Sequence, residues 1–388
     1  MRVLLNAVPL YGKGAGARTY TTGLLKALSA SDVDMEWHVL LRDDDFNRLG
    51  LASDPRFHRV PFAGPAAPPN MMGARFLWRN TLDQAVIPFY ARHYDVTHYL
   101  DTYGPFIFPG ATPFTLTVHD LFPITNPEYF SPGIARYLAF LMGAIPRAAG
   151  LMAISAETAR MLTALYDVPP ERVRIVHNGV DARFRPASAS ERYAVMGKYA
   201  IGGAYLIAVG TIERRKNLAR VIRAFARARR AANLPHRLLI VGAPGRGFDE
   251  VEAAIMETGL SDVARLMGYL PTEDIPALIS GADALIHLSL AEGFGLPVVE
   301  GMACGAPVIA SSTGAPAEIA GGAAFMVNPV DEDAITAALI QICQDTALQA
   351  RLREDGLRRA RLFSWDHVAD TAIAMYHEAA ASRRRVTH

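Results

Sequence analysis

The chain has 388 residues with 39 basic and 38 acidic side chains, a balance that leaves no electrostatic footprint for nucleic acid. The length suits two or three domains, each able to bury its own core. Two cysteines, Cys304 and Cys343, exclude a disulfide framework and an all-cysteine metal site.

Short β-like runs alternate with helical segments from end to end, the pattern of parallel sheets in α/β domains. The opening Met1-Arg-Val-Leu-Leu-Asn6 reads as a strand start and lacks the long apolar core of a signal peptide. No run reaches the roughly 18 apolar residues of a membrane span, so the expected location is the cytoplasm. In the first half strands are predicted at 3–7, 37–41, 96–100, 114–118, 150–154 and 173–176, with helices at 18–28, 134–148 and 157–165. The Pro-rich run 61–70 interrupts this half as a surface loop, and polar and small residues between Phe184 and Tyr199 mark a domain boundary. The second half restarts at 205–209 and alternates through 218–230, 237–241, 249–258, 264–266, 275–280 and 284–288. It continues with a helix at 298–303, runs at 307–310 and 324–327, and a helical tail from about 333. Two doubly wound domains follow, with the ligand expected where the carboxyl ends of their strands face each other.

Glu292-Gly-Phe-Gly-Leu-Pro-Val-Val-Glu300 lies between an apolar β run and a small-residue helix. Pro297 suits the first turn of that helix, where its missing N–H is no loss. The free N–H groups there, with the positive end of the helix dipole, favour a phosphate. Gly293 and Gly295 let the backbone approach a ligand. Glu292 on the loop and Glu300 about one turn into the helix are then left to grip hydroxyls, as a phosphorylated sugar requires. In Gly210-Thr-Ile-Glu-Arg-Arg-Lys-Asn217, Arg215 and Lys216 at a strand end suit a diphosphate: the guanidinium grips two oxygens and the ammonium is a point charge. In Val118-His-Asp-Leu-Phe-Pro123, His119 sits at the carboxyl end of a strand, where it can donate a hydrogen bond to a sugar hydroxyl. Asp120 reads as its orienter or as a helix cap. Gly12-Lys-Gly-Ala-Gly-Ala-Arg18 lacks the spacing of a dinucleotide fingerprint. Asp43-Asp-Asp45 reads as a solvated turn rather than a metal motif, and the role of His177-Asn-Gly-Val-Asp181 stays open.

On these motifs the chain resembles the family 4 retaining glycosyltransferases of the GT-B fold, over nearly its whole length. Gly301-Met-Ala-Cys-Gly-Ala-Pro-Val308 is also typical of them. The family often has Pro where this chain has Arg214, which leaves three consecutive cations and does not say which two face the diphosphate. The resemblance implies α/β architecture with two doubly wound Rossmann-like domains facing across a cleft. Residues 1–186 would form the acceptor side, with helix 365–380 packing back on it, and 199–364 would bind the nucleotide sugar. His119 and Glu292 would be the catalytic residues, Glu292 contacting the donor sugar. Gly16, Arg215, Lys216, Phe294, Gly295, Leu296 and Glu300 would bind the donor, Glu300 through the ribose. The motif at 210–217 looks like that of bacterial polysaccharide mannosyltransferases, so GDP-mannose is the first expectation and UDP-sugars stay open. The base is expected near Gly268-Tyr-Leu270. The acceptor is expected to be a glycan or lipid-linked hydroxyl, and the apolar and basic residues at 71–79 and 137–141 offer a face for peripheral contact with an anionic membrane. No cofactor and no metal is expected, because Arg215, Lys216 and the helix start can stabilise the leaving diphosphate. A GT-B epimerase, a nucleotide-sugar-binding protein without catalysis and a nicotinamide dehydrogenase are the rivals.

Overall fold

The computed structural model describes residues 1–7, 15–41, 43–61, 87, 90–102 and 112–386, apart from the side chains of 15, 43 and 383–386. The expectations for 12–14, 62–70 and 71–79 lie outside the described residues. Contacts divide the chain into two units, Met1–Gly179 with Ser364–His388, and Val180–Phe363.

The first unit is built on a seven-stranded parallel sheet in the order β3-β2-β1-β4-β5-β6-β7. Its strands are β1 Arg2–Asn6, β2 Glu36–Leu41, β3 Phe57–Pro61, β4 Val96–Tyr99, β5 Phe114–Val118, β6 Gly150–Ala153 and β7 Val173–Ile175. Its central strands are covered on both faces and so read as unbroken buried runs, β5 among them. On one face Leu24 and Leu28 of the helix Ala15–Ala30 pack with Trp37 and with Val368, Ala372 and Tyr376 of the helix Trp365–Val386. Leu116, Met142, Ile145 and Leu162 fill the other face. A Cβ on Gly23 would fall 2.2 Å from the Trp365 ring, so only glycine lets these two helices come this close.

A buried polar chain ties that last helix to the sheet. His98 Nδ1 lies 2.5 Å from the Tyr376 hydroxyl and His98 Nε2 lies 2.9 Å from Thr117 Oγ1, which is 2.8 Å from the Tyr20 hydroxyl. Burial, aided by the nearby His119, pushes the His98 imidazole down to about 3, so it is neutral. Tyr376→Phe keeps the ring but strips His98 of a partner. It is expected to cost about 2 kcal/mol, read by calorimetry as a fall of several degrees in Tm.

The second unit has a six-stranded parallel sheet ordered β10-β9-β8-β11-β12-β13. These are β8 Tyr205–Val209, β9 Arg237–Val241, β10 Ala264–Gly268, β11 Ala284–His287, β12 Val308–Ser311 and β13 Phe325–Val327. The helix Leu218–Ala232 buries Val221, Ile222, Phe225 and Ala228, the stripe that a 3.6-residue period dictates.

Several elements differ from the periodicity. No strand is predicted at Phe57–Pro61, yet β3 forms there as an edge strand, where its terminal proline costs no interior ladder bond. The stretch taken as a break contains the helix Ala189–Lys198, started by a capping box between Ser188 and Glu191. A short helix, Gly314–Ala320, is also absent from the prediction. The helix expected at 134–148 ends at Met142, and Pro146 sits in a separate 3-10 turn, Ile145–Arg147. Asp43 to Asp45 open the helix Asp43–Arg48 rather than a turn, with Asp45 paired to Arg48 at 2.5 Å.

Candidate active site

In the second unit the ends of β8 and β11 are laced together. The Asn217 side chain, buried in a left-handed turn before the helix Leu218–Ala232, donates to the carbonyls of Leu288 at 3.1 Å and Pro329 at 2.6 Å. The Leu290 N–H donates to the Arg215 carbonyl at 2.7 Å. These bonds set the cations of the 210–217 motif against Glu292. Its Oε1 meets the Lys216 ammonium and accepts from Ser289 Oγ at 3.0 Å, and its Oε2 lies 2.9 Å from an Arg215 nitrogen. His287 Nε2 stands 3.4 Å from Oε1. The Arg215 Nε donates to Glu213 at 2.8 Å, which fixes the guanidinium plane. Arg214 turns elsewhere, to Glu250 on the neighbouring helix Phe248–Thr258. Of the three consecutive cations, Arg215 and Lys216 are therefore the pair at the site.

Burial works against an ionised Glu292, yet Arg215, Lys216 and His287 outweigh it and hold the carboxyl well below its ordinary range. Burial lowers the Lys216 ammonium from its ordinary value, opposed by Glu292. Burial also lowers His287, which is neutral. A small open hollow adjoins this cluster, lined by Gly210, Lys216, His287 and Ser289 among others.

Gly295 starts the helix Leu296–Ala303 at φ +99°, a conformation that disfavours any side chain there, and Pro297 occupies its first turn. The Phe294 side chain, assigned to the donor by its motif, points inward: it is 3% exposed and packs edge-on against Phe363 with ring centroids 5.9 Å apart. It anchors the loop, and only its backbone is left for a ligand. Glu300, on the second turn of this helix, is pushed up to about 7 by burial and by Asp181, against Lys216 and Arg183. Asp181 and Arg183 pair with each other at 2.9 Å, which brings the end of the 177–181 motif to Glu300. Tyr269, after Gly268 at the end of β10, is 77% exposed.

In the first unit His119 follows β5. Its N–H donates to Thr102 Oγ1 at 2.8 Å, and its Nε2 lies 3.0 Å from the Leu100 carbonyl. A carbonyl only accepts, so Nε2 carries the proton and the neutral ring presents Nδ1 as an acceptor. The donor role expected for His119 then falls to Nδ1 only in the imidazolium form. Tyr20 packs edge-on against this ring at 4.9 Å. Asp120 Oδ1 accepts from Phe122 N at 3.1 Å, in the turn that leads into the short helix Phe122–Thr125, whose N-cap is Leu121. Asp101, after β4, is raised by burial and opposed by the neighbouring His119. Gly16 falls in the exposed first turn of the helix Ala15–Ala30, with open space where a Cβ would stand. Among the described residues, the one metal-ligating grouping is Glu36, His38 and His58, at the amino end of β2 and β3, opposite His119 in the same sheet.

His287, Ser289, Arg183 and Asp101 were not singled out from the sequence. His287 and Ser289 precede Glu292 inside an apolar strand run and look like core positions. Arg183 and Asp101 gain their meaning only from what they pack against.

Two family models match the chain: Glycosyltransferase Family 4 over residues 14–184 and Glycosyl transferases group 1 over residues 198–359. The chain is similar to O-antigen chain mannosyltransferase B of Escherichia coli, 30% identical over 264 residues, covering 67% of this chain and 69% of that one. It is 32% identical over 236 residues to the MMP alpha-(1->4)-mannosyltransferase of Mycolicibacterium hassiacum, covering 60% of this chain and 54% of that one. Among solved structures it resembles Anabaena HepE in complex with UDP and glucose, at TM-score 0.74 and 19% identity, over 96% of this chain and 98% of that one. It also resembles sucrose-phosphate synthase of Thermosynechococcus elongatus, at TM-score 0.78 and 19% identity, over 98% of this chain and 100% of that one. The fold is that of the GT-B glycosyltransferases. The chain belongs to the glycosyltransferase family defined by these two domains, and it is a transferase enzyme.

Proposed function

We propose that the chain transfers a hexose, with retention of configuration, from a nucleotide diphosphate sugar to a hydroxyl of a glycan or lipid-linked acceptor in surface polysaccharide assembly. The observation that carries this is the cluster of Arg215, Lys216 and Glu292 at the strand ends of the second unit. Two fixed cations suit a diphosphate, and a carboxylate beside them suits sugar hydroxyls. The start of the helix Leu296–Ala303 adds its N–H groups, Glu300 takes the ribose, and the exposed Tyr269 supports the base. GDP-mannose is the favoured donor, supported by the similarity to mannosyltransferases. His119 binds a hydroxyl of the transferred sugar and Gly16 lies near the donor phosphate.

In this mechanism Arg215 and Lys216 stabilise the charge that builds on the leaving diphosphate, which accepts the acceptor proton on the same face of the sugar. They supply the charge a metal would otherwise bring, so turnover is expected to survive a chelator. Among the described residues no helix is long and apolar enough to cross a membrane. The helix Pro132–Met142 leaves Phe140 61% exposed beside Arg136, which supports a cytoplasmic enzyme resting peripherally on an anionic bilayer.

The test is release of nucleoside diphosphate from a panel of GDP- and UDP-sugars, with and without glycan and membrane-lipid extract. The expected result is one donor consumed only with extract, by wild type and not by Lys216→Ala. A sugar altered without any acceptor would move the assignment to an epimerase, and tight binding with no turnover would move it to a binding protein.

A further inference from the structure

Glu292 has two kinds of partner. Arg215 and Lys216 are cations that a diphosphate would engage. His287 and Ser289 are neutral, and they sit on and just beyond β11. His287 closes that strand, paired in register with Ala310 of β12, and its side chain is 3% exposed. Its Nε2 lies 3.4 Å from both Glu292 Oε1 and Ser289 Oγ. Ser289 donates to the same carboxylate oxygen at 3.0 Å, and its own carbonyl accepts from Ser311 Oγ at 2.7 Å, which pins the turn.

On the donor-site reading above, the diphosphate draws Arg215 and Lys216 off Glu292. A carboxylate this buried would then take up a proton or swing away unless a donor remained. Ser289 supplies one hydrogen bond to it. We propose that His287 is the positioning residue that keeps Glu292 ionised and aimed at the sugar while Arg215 and Lys216 hold the diphosphate. A neutral imidazole suits the task, because its Nε2–H donates without adding a third buried cation beside the other two. The role rests on the strand: β11 fixes the His287 backbone against Ala310 of β12, whereas the cations stand on the turn Arg214–Lys216.

The experiment compares His287→Leu and His287→Gln in the full chain. Losing a hydrogen bond to a charged group predicts a fall in kcat of about tenfold to a hundredfold for His287→Leu. Its Kd for GDP or UDP should stay within about threefold of wild type, and His287→Gln, which keeps an N–H donor, should recover most of the loss. Unchanged kcat in both variants, or nucleotide binding lost together with kcat, overturns the assignment. If wild type consumes no donor, the transferase reading fails by itself, and the inference is judged on ¹⁵N-imidazole NMR. His287 Nε2 should carry a proton with GDP or UDP bound as well as free, and its resonance should move in Glu292→Gln. A resonance indifferent to Glu292→Gln sinks the proposal.

Discussion

Glu292→Ala is expected to abolish transfer while binding nucleoside diphosphate as tightly as wild type, or up to about tenfold tighter. In the free protein Glu292 is the internal counter-ion of Arg215 and Lys216, so an incoming diphosphate competes with it for both cations. Removing the carboxylate removes that competitor. It also leaves two cations without their shared anion, of which Lys216 is only 11% exposed. Breaking a buried pair this way costs about 3–5 kcal/mol. Nucleotide should return part of that stability, about 2.7 kcal/mol at a hundredfold excess over Kd. Isothermal titration and thermal melts with and without GDP or UDP check both halves. A variant that loses nucleotide affinity instead would mean that Glu292, not the cations, holds the nucleotide.

Glu300→Gln is expected to stabilise the protein at pH 8 by at most about 3 kcal/mol and to be nearly neutral near pH 4.5. The folded protein raises this carboxyl from its ordinary 4.5 up to about 7, with burial as the main cause. Between those values the unfolded chain ionises Glu300 and the folded protein does not. Wild-type stability therefore falls as pH rises through this window and levels off above 7. Glutamine has no charge to bury, so the variant lacks that slope. Denaturant melts at several pH values measure it, and parallel curves for both proteins would show that Glu300 does not titrate in this way. On the proposed donor-site reading, an ionised Glu300 would accept from the ribose hydroxyls. Nucleotide affinity should accordingly rise through pH 7 in wild type and by less in the variant.

Much of this was legible in the chain. Buried parallel strands such as β5 and β8 are continuous apolar runs, and the 3.6-residue stripe of Leu218–Ala232 is written in its apolar positions. Turn chemistry located Gly295 and Pro297 at a helix start, because only certain residues adopt those backbone angles. What sequence alone obscured was local sense set by distant partners. Phe57–Pro61 is a strand because it has β2 to pair with; the helix Ala189–Lys198, by contrast, was signalled locally by the Ser188–Glu191 capping box, among residues that look like a linker. Phe294 sits in the most informative motif yet turns inward to Phe363.

The sequence by itself determined the class of fold and the family, because periodicity and turn residues act over a few positions. Only the tertiary structure decided which of three consecutive cations face Glu292, that His287 and Ser289 hold the same carboxylate, and which nitrogen of His119 carries the proton. Those outcomes depend on charges and hydrogen-bond partners brought within a few ångströms from strands far apart in the chain, and spacing along the chain does not encode distance across a sheet.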